Sequence, residues 1–164
     1  MEKKISKMRQ VMDWSAAFWA GIIASIVFFL LNILAVPSLL ETNMWVIIRL
    51  FASVFLGKDI LAPPATFDLT ALVVSIITTL VLSIGFTLLI AFVLHQWGML
   101  VGILGGAVFG LAIYLINFYS LSYFFPWFFA LSSWPFVISH IIFGAVAGGV
   151  YEAFEVEEFE PVEA

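Results

Sequence analysis

Long apolar stretches, separated by short segments that contain polar residues, Pro or Gly, form the main pattern of this sequence. Four stretches are long enough to cross a bilayer as a helix, which takes about 20 apolar residues. The connections after the second and third stretches are short, so these spans are expected to run antiparallel to their neighbours. The pattern predicts an all-α, four-helix antiparallel transmembrane bundle with spans at residues 14–36, 68–94, 99–121 and 134–151.

The segment between the first two spans contains a shorter apolar stretch with its own boundary signals. Asn43 is a typical residue at a helix start, and Gly57 is a typical residue at a helix end. The helix predicted over residues 43–57 is too short to span and has Arg49 in its middle. We expect this helix to lie in the membrane interface, with Arg49 reaching lipid headgroups or Glu41. A re-entrant hairpin is the alternative.

Charged side chains are absent from Leu69 to Tyr151. The whole chain is 64% hydrophobic and 10% charged, and a soluble domain of that composition could not cover its surface with polar groups. A bilayer removes this requirement and penalises unpaired charge in its core. The composition therefore indicates an integral membrane protein whose main surroundings are the lipid bilayer.

The charges that do occur are concentrated near the two ends of the chain. Of the Lys and Arg residues, only Arg49 and Lys58 follow the first span, and the others precede it. The positive-inside rule then places both termini in the cytoplasm. Residues 1–13 become a basic cytoplasmic segment and residues 152–164 an acidic cytoplasmic tail. We expect the tail to be solvated; docking on a basic partner or on the chain's own N-terminal segment is the alternative.

No set of residues with recognisable catalytic or metal-binding chemistry stands out. The chain contains no cysteine, which excludes disulfides, thiolate catalysis and metal sites with Cys ligands. The two histidines, His95 and His140, are predicted near opposite membrane surfaces and cannot bind one metal ion between them. We therefore expect no enzyme activity, no cofactor and no metal. The charge distribution also provides no basic surface for nucleic acid.

Glycines recur at four-residue spacing on the third span, which places them along one stripe of a helix. The fourth span carries a matching pair. Such a stripe, a glycine zipper, lets a second helix backbone approach closely, so we expect spans three and four to pack tightly within one chain. Homodimerisation through the stripe is the alternative. The predicted packing glycines are Gly98, Gly102, Gly106, Gly110, Gly144 and Gly148.

One polar residue in each span falls at a similar predicted depth, roughly 6–10 Å below the outer surface. Polar groups at that depth face protein or water rather than lipid, because an unsatisfied group there costs free energy. The layer is expected to form either a small site open to the outside, with Arg49 and Asp68 at its outer mouth, or a structural clasp between helices. Asp68 is also suited to cap span two. The layer consists of Asn32, Ser75, Asn117 and His140.

Span two also carries hydroxyl side chains at helical spacing. In a helix such groups commonly donate to a carbonyl of the preceding turn, so we interpret them as structural. They are Thr78, Thr79, Ser83 and Thr87.

Three segments of the chain carry a resemblance to known proteins. They are residues 57–68 (GKDILAPPATFD), 110–119 (GLAIYLINFY) and 140–144 (HIIFG). These segments resemble a group of small four-span bacterial membrane proteins, some of which carry the automatic label "sodium:proline symporter". The resemblance covers nearly the whole chain and implies a multi-pass protein of the bacterial inner membrane.

Two functional classes fit these patterns. We expect a small accessory or structural subunit that packs against a larger bacterial membrane complex, because the chain combines tight helix packing and an interfacial helix with no evident catalytic chemistry. The alternative is an oligomeric protein for permeation of a small solute or ion, in which the polar layer would line the path.

Overall fold

Six α-helices and a two-stranded sheet make up the computed structural model, which describes residues 8–161. The elements in chain order are β1 (Met8–Val11), α1 (Trp14–Leu30), α2 (Val36–Leu39), α3 (Met44–Leu56), α4 (Leu69–Leu94), α5 (Gly98–Phe124), α6 (Trp134–Phe154) and β2 (Glu158–Pro161). Four helices in this part of the chain are long and apolar enough to cross a membrane: the continuous helix Trp14–Leu39, α4, α5 and α6. The predicted all-α bundle with four spans is confirmed.

The first spanning helix continues through Pro37, where the sequence pattern predicted that it ends. A π-turn over Leu31–Ala35 joins α1 to α2, and in it the backbone N–H of Val36 donates to the carbonyl of Leu31. Proline has no N–H to donate, and its ring crowds the carbonyl four residues earlier. The wider π-turn directly before Pro37 relieves that crowding, so the helix extends to Leu39.

The other spanning helices begin and end close to the predicted positions. Asp68 caps α4, because its carboxylate accepts a hydrogen bond from the backbone N–H of Ala71 at 2.9 Å. The predicted turn between α4 and α5 contains Gly98, whose φ of +76° is readily adopted by glycine. α5 is longer than predicted and ends at Phe124, just before Pro126.

The spanning helices pack closely as three pairs: α5 with α6, α1 with α4, and α1 with α6. We call the end of the bundle that carries β1 and β2 the terminal end, and the end that carries α3 the loop end. The predicted short helix is present as α3, and its inner face belongs to the core. Its buried Ile47 and Leu50 pack with Tyr114 of α5 and Phe136 of α6.

At the terminal end, β1 and β2 pair as antiparallel strands, with Arg9 opposite Glu160 and Met8 opposite Pro161. The pairing is possible because α1 begins and α6 ends side by side at this end of the bundle. Residues 158–161 therefore dock on the chain's own N-terminal segment, which was the alternative expectation, and their side chains remain exposed. The basic residues before Met8 lie outside the described residues.

Candidate functional site

Glycine residues bring the backbones of α5 and α6 into direct contact. A Cβ atom on Gly106 would overlap the carbonyl group of Gly144, and one on Gly144 would overlap that of Gly106. The same holds for Gly110 against the carbonyl of His140. A larger residue would force the helices apart, so this contact requires glycine. We call it the glycine seam, and it consists of Gly102, Gly106, Gly110, Gly144 and Gly148.

Two other glycines of α5 lie apart from the glycine seam. Gly98, which the sequence pattern placed on the same stripe, lies at the turn with open space around it. Gly105 faces Leu94 of α4, whose side chain would be 3.1 Å from an added Cβ. The five glycines of the seam are buried between helices of one chain, so the homodimer alternative would need another surface.

Asn32 and Ser75, two of the four residues of the predicted polar layer, are fully buried. Asn32 lies in the π-turn, where its Nδ2 donates to the carbonyl of Phe28 at 2.8 Å. The hydroxyl of Ser139 on α6 donates to the carbonyl of Phe136 at 2.9 Å and shares this hydrogen with Oδ1 of Asn32 at 3.4 Å. Ser75 donates to the carbonyl of Leu72 in its own helix at 2.8 Å. Asn32 thus joins two helices, whereas Ser75 does not.

Asn117 and His140, the other two residues of the layer, line a cleft between α4 and α5. The cleft has a volume of about 90 Å³ and is partly open. It is lined by residues 78–86 of α4 and residues 113–121 of α5, and also by side chains of α1, α3, α6 and the segment 126–131. We call it the α4–α5 cleft. Two of the four residues therefore line the cleft, whereas Asn32 and Ser75 do not.

His140 lies between aromatic rings from α1 and α5. Its ring meets Phe28 edge to face at a centroid distance of 4.8 Å, and Tyr114 at 5.3 Å. Its Nδ1 is 2.7 Å from the carbonyl of Phe136. Because a carbonyl only accepts, Nδ1 carries a proton in this contact, and Nε2 of the neutral ring is then an acceptor. Among residues 8–161, His140 makes its one hydrogen bond through Nδ1, and Nε2 is not one of the fully enclosed polar atoms that lack a partner.

The hydroxyl groups of α4 differ in whether they have a hydrogen-bond partner. Thr78 donates to the carbonyl of Val74 at 2.7 Å, and Thr79 donates to the carbonyl of Ser75 at 2.8 Å. These two bonds agree with the predicted structural role. The buried hydroxyl of Thr87 has no partner within the described part of the chain, so the prediction does not hold there.

Arg49 is buried at the loop end, where 3% of its side chain is exposed. Its guanidinium donates to the carbonyl of Ile60 at 2.6 Å, and to the carbonyl and the hydroxyl of Thr66 at 3.2 and 3.0 Å. The carboxylate of Asp68 lies 3.6 Å away. Arg49 therefore points inward and not to headgroups or to Glu41.

We call this group the loop clamp; it consists of Arg49, Ile60, Thr66 and Asp68. It holds the loop before α4 against α3. Arg49 and Asp68 do lie together, as expected for the outer mouth, but neither of them lines the α4–α5 cleft.

A second polar group closes the terminal end. Asp13 caps α1 by accepting from the backbone N–H of Ala16 at 2.9 Å, and its other oxygen accepts from the N–H of Val156 at 3.2 Å. The backbone N–H of Asp13 donates to the hydroxyl of Tyr151 at 3.3 Å, and that hydroxyl donates to Glu155 at 2.8 Å. The hydrogen bond from Ala16 is the main reason that the pKa of Asp13 lies below its usual value.

Glu155 also accepts a hydrogen bond from the amide of Gln10 at 3.1 Å. We call Gln10, Asp13, Tyr151 and Glu155 the terminal clasp. The clasp ties the start of α1 to the end of α6, next to the β1–β2 pair.

Several of these residues were not predicted from the sequence, although some of them lie in a sequence pattern that indicates their role. Asp13 stands directly before an apolar run, which is a typical helix-start signal. Tyr114 and Ser139 are polar side chains within spans, but their hydrogen-bonding groups are common in helices and carry little information. Tyr151 had no signal for its contact with Asp13, because that partner comes from the other end of the chain.

The apolar spans and the two sets of internal polar contacts define an integral membrane protein with four spanning helices. Within residues 8–161, no group of three or more His, Asp or Glu residues is placed to hold a metal ion. Comparison of the chain with protein-family models, with curated proteins and with solved structures found no significant match.

Proposed function

We propose that this protein is a small accessory subunit of a larger bacterial inner-membrane assembly. The observation that carries the proposal is the division of the polar layer, since Asn32 and Ser75 make their hydrogen bonds inside the bundle and only two of the four residues reach the cleft. A path for a polar solute needs polar groups that follow one another through the span. A bundle whose polar groups are bonded internally is suited to act as a rigid body.

The shape of the bundle supports the same proposal. The glycine seam leaves no space between α5 and α6, and both ends of the bundle are closed by hydrogen bonds. Large apolar side chains remain exposed on the outer faces of α4 and α5, for example Leu89 and Leu104. In a membrane these faces are available to lipid or to the apolar helices of other subunits. We place both termini in the cytoplasm, in accord with the positive-inside rule.

Native extraction tests this proposal directly. The tagged chain is expressed at its natural level, extracted in a mild detergent, and the proteins that co-migrate at fixed stoichiometry are identified by mass spectrometry. A defined set of unrelated subunits is the expected result. A monomer or a homo-oligomer, in two different detergents, would contradict the proposal. An unrelated four-span protein with the same tag is the control for carry-over of abundant membrane proteins.

Permeation of a small solute or ion is a second candidate, and one observation favours it. Asn117 and His140 share the α4–α5 cleft, and Nε2 of His140 has no partner in the described residues. If this candidate is correct, the purified chain in liposomes will conduct its solute and His140→Ala will reduce the flux. Equal flux through the His140→Ala variant would exclude a role for this residue.

A further inference from the structure

We propose that the α4–α5 cleft binds one neutral, lipid-soluble molecule that has an apolar body and a hydrogen-bond-donating hydroxyl group. This inference is independent of whether the chain belongs to a larger assembly. It rests on the size of the cleft, on its lining, and on one unpaired acceptor within it.

The size of the cleft is sufficient for part of an organic molecule. Its volume is about 90 Å³, whereas a single water needs about 10–15 Å³ measured in the same way. Water can bond to the polar side chains of the cleft, but the aromatic part of its lining offers water no partner. The back of this cleft is formed by the rings of Phe28, Phe136 and Phe143. The occupant is therefore organic, with an apolar body.

The polar groups of the cleft determine the head group of the ligand. Nδ1 of His140 is engaged by the carbonyl of Phe136, so Nε2 of the neutral ring offers a lone pair. Tyr114 and Asn117 also line the cleft, and neither side chain makes a hydrogen bond within residues 8–161. A hydroxyl group can donate to Nε2 and accept from Asn117 or Tyr114 in return.

The absence of charged side chains from the described lining of the cleft indicates a neutral ligand. Among residues 8–161, no Asp, Glu, Lys or Arg lines the cleft. A charged ligand there would have no counter-ion to offset the cost of its desolvation. The cleft is bounded by two spanning helices, and Leu82 on its α4 side is 41% exposed. A neutral ligand can therefore enter from the hydrocarbon phase.

Nitrogen-15 NMR of the imidazole rings tests the proposal in the intact chain. The chain has two histidines, so the purified protein in lipid nanodiscs gives two sets of ring signals, and His95→Phe assigns them. The probes are 4-hexylphenol and its methyl ether, which has a similar apolar body but no hydroxyl proton. We expect 4-hexylphenol to shift the Nε2 signal of His140 and to leave the signals of His95 unchanged. The methyl ether should have no effect on either.

Three results would overturn the proposal. Equal shifts with the phenol and the ether would mean that the ligand does not donate to Nε2. Equal shifts at both histidines would mean that the probe only partitions into lipid. No shift at saturating phenol would mean that a lipid acyl chain or nothing occupies the cleft.

The variant His140→Phe gives an independent measurement by equilibrium binding of radiolabelled 4-hexylphenol. Loss of one neutral hydrogen bond should weaken binding by about threefold to tenfold. His95→Phe is the matched control and should bind like the unmodified protein. If His140→Phe does not fold, the comparison of phenol and ether on the unmodified chain still decides the question.

Discussion

The loop end and the terminal end of the bundle are both held by polar contacts, but a cation donates the hydrogen bonds at the loop end, whereas carboxylates accept most of them at the terminal end. The loop clamp is centred on one cation, Arg49, which donates mostly to neutral carbonyl and hydroxyl groups. The terminal clasp is centred on the carboxylates of Asp13 and Glu155, which accept from backbone N–H groups, an amide and a hydroxyl.

This difference makes the two ends respond differently to conditions. The loop clamp depends on an arginine, and an arginine keeps its charge over the whole range in which proteins are handled. Asp13 in the terminal clasp is neutralised as the pH falls through its lowered pKa, and the clasp then loses an acceptor. A single substitution or a change of pH should therefore destabilise one end of the bundle and leave the other end unchanged.

The glycine seam connects the two ends, and its disruption should have the largest effect. Gly106→Leu places a side chain on the backbone of Gly144, which should lower the free energy of unfolding by about 3 kcal/mol or more. Thermal unfolding in detergent, followed by size exclusion, measures this loss. Gly85→Leu is the control, since no atom lies within 4 Å of its added Cβ. Equal loss in the two variants would show that α5 and α6 are not in backbone contact.

The loop clamp should give the next largest effect. Arg49→Met removes the guanidinium and leaves the carbonyls of Ile60 and Thr66 without their donors. Hydrogen bonds from a charged group predict a destabilisation of about 1.5–3 kcal/mol. Chemical unfolding in mixed micelles measures it, and Lys58→Met, at an exposed position of the same loop, should have no effect. A stable Arg49→Met variant would indicate that the arginine is not buried.

The terminal clasp should respond to Tyr151→Phe with a smaller loss. The variant keeps the buried ring and removes a hydroxyl that makes two hydrogen bonds, so we expect about 1–2 kcal/mol. Hydrogen exchange should show faster exchange in β1 and β2 but not in α3. Tyr123→Phe, where the side chain is 80% exposed, is the control. Faster exchange at both ends would mean that the clasp and the clamp are coupled.

The smallest effect concerns pH. The lowered pKa of Asp13 means that the folded state favours the charged carboxylate, so its contribution is complete above the usual value of 3.8 and is lost as the pH falls through the lowered pKa. Below about pH 4 the melting temperature of Asp13→Asn should therefore fall less than that of the unmodified chain. Asp59→Asn, at an exposed position, should keep the original pH dependence. If the melting temperatures of all three proteins had the same pH dependence, the charge of Asp13 would not contribute to the stability of the terminal clasp.

The sequence predicted the helices well because their signals are local. Asn43 and Gly57 bound α3 in the structure as in the prediction, and Asp68 caps α4 as expected. The end of α5 was less well predicted. Without a breaking residue before Pro126, the apolar run gave no indication of where the helix ends.

The candidate site was harder to predict because it depends on the direction in which each side chain points as well as on its depth in the membrane. Residue counts place Asn32, Ser75, Asn117 and His140 at similar heights, but they do not say which way each side chain points. The π-turn that contains Asn32 changes the direction in which the following side chains of the helix point. It relieves the crowding that Pro37 would cause in a regular α-helix. The terminal clasp depends on residues from both ends of the chain, and no local pattern records that pairing.

The pairing of β1 with β2 has a consequence for how the chain can be rearranged. Met8 and Pro161 are paired in the sheet, so these two positions, far apart in sequence, lie next to each other. A linker of a few residues between them would close the chain into a ring, and new ends could be opened at exposed Ala65 in the loop before α4. Such a circular permutant would insert α4 into the membrane first and α1 last. Its finished fold would show whether the order of insertion matters for this topology.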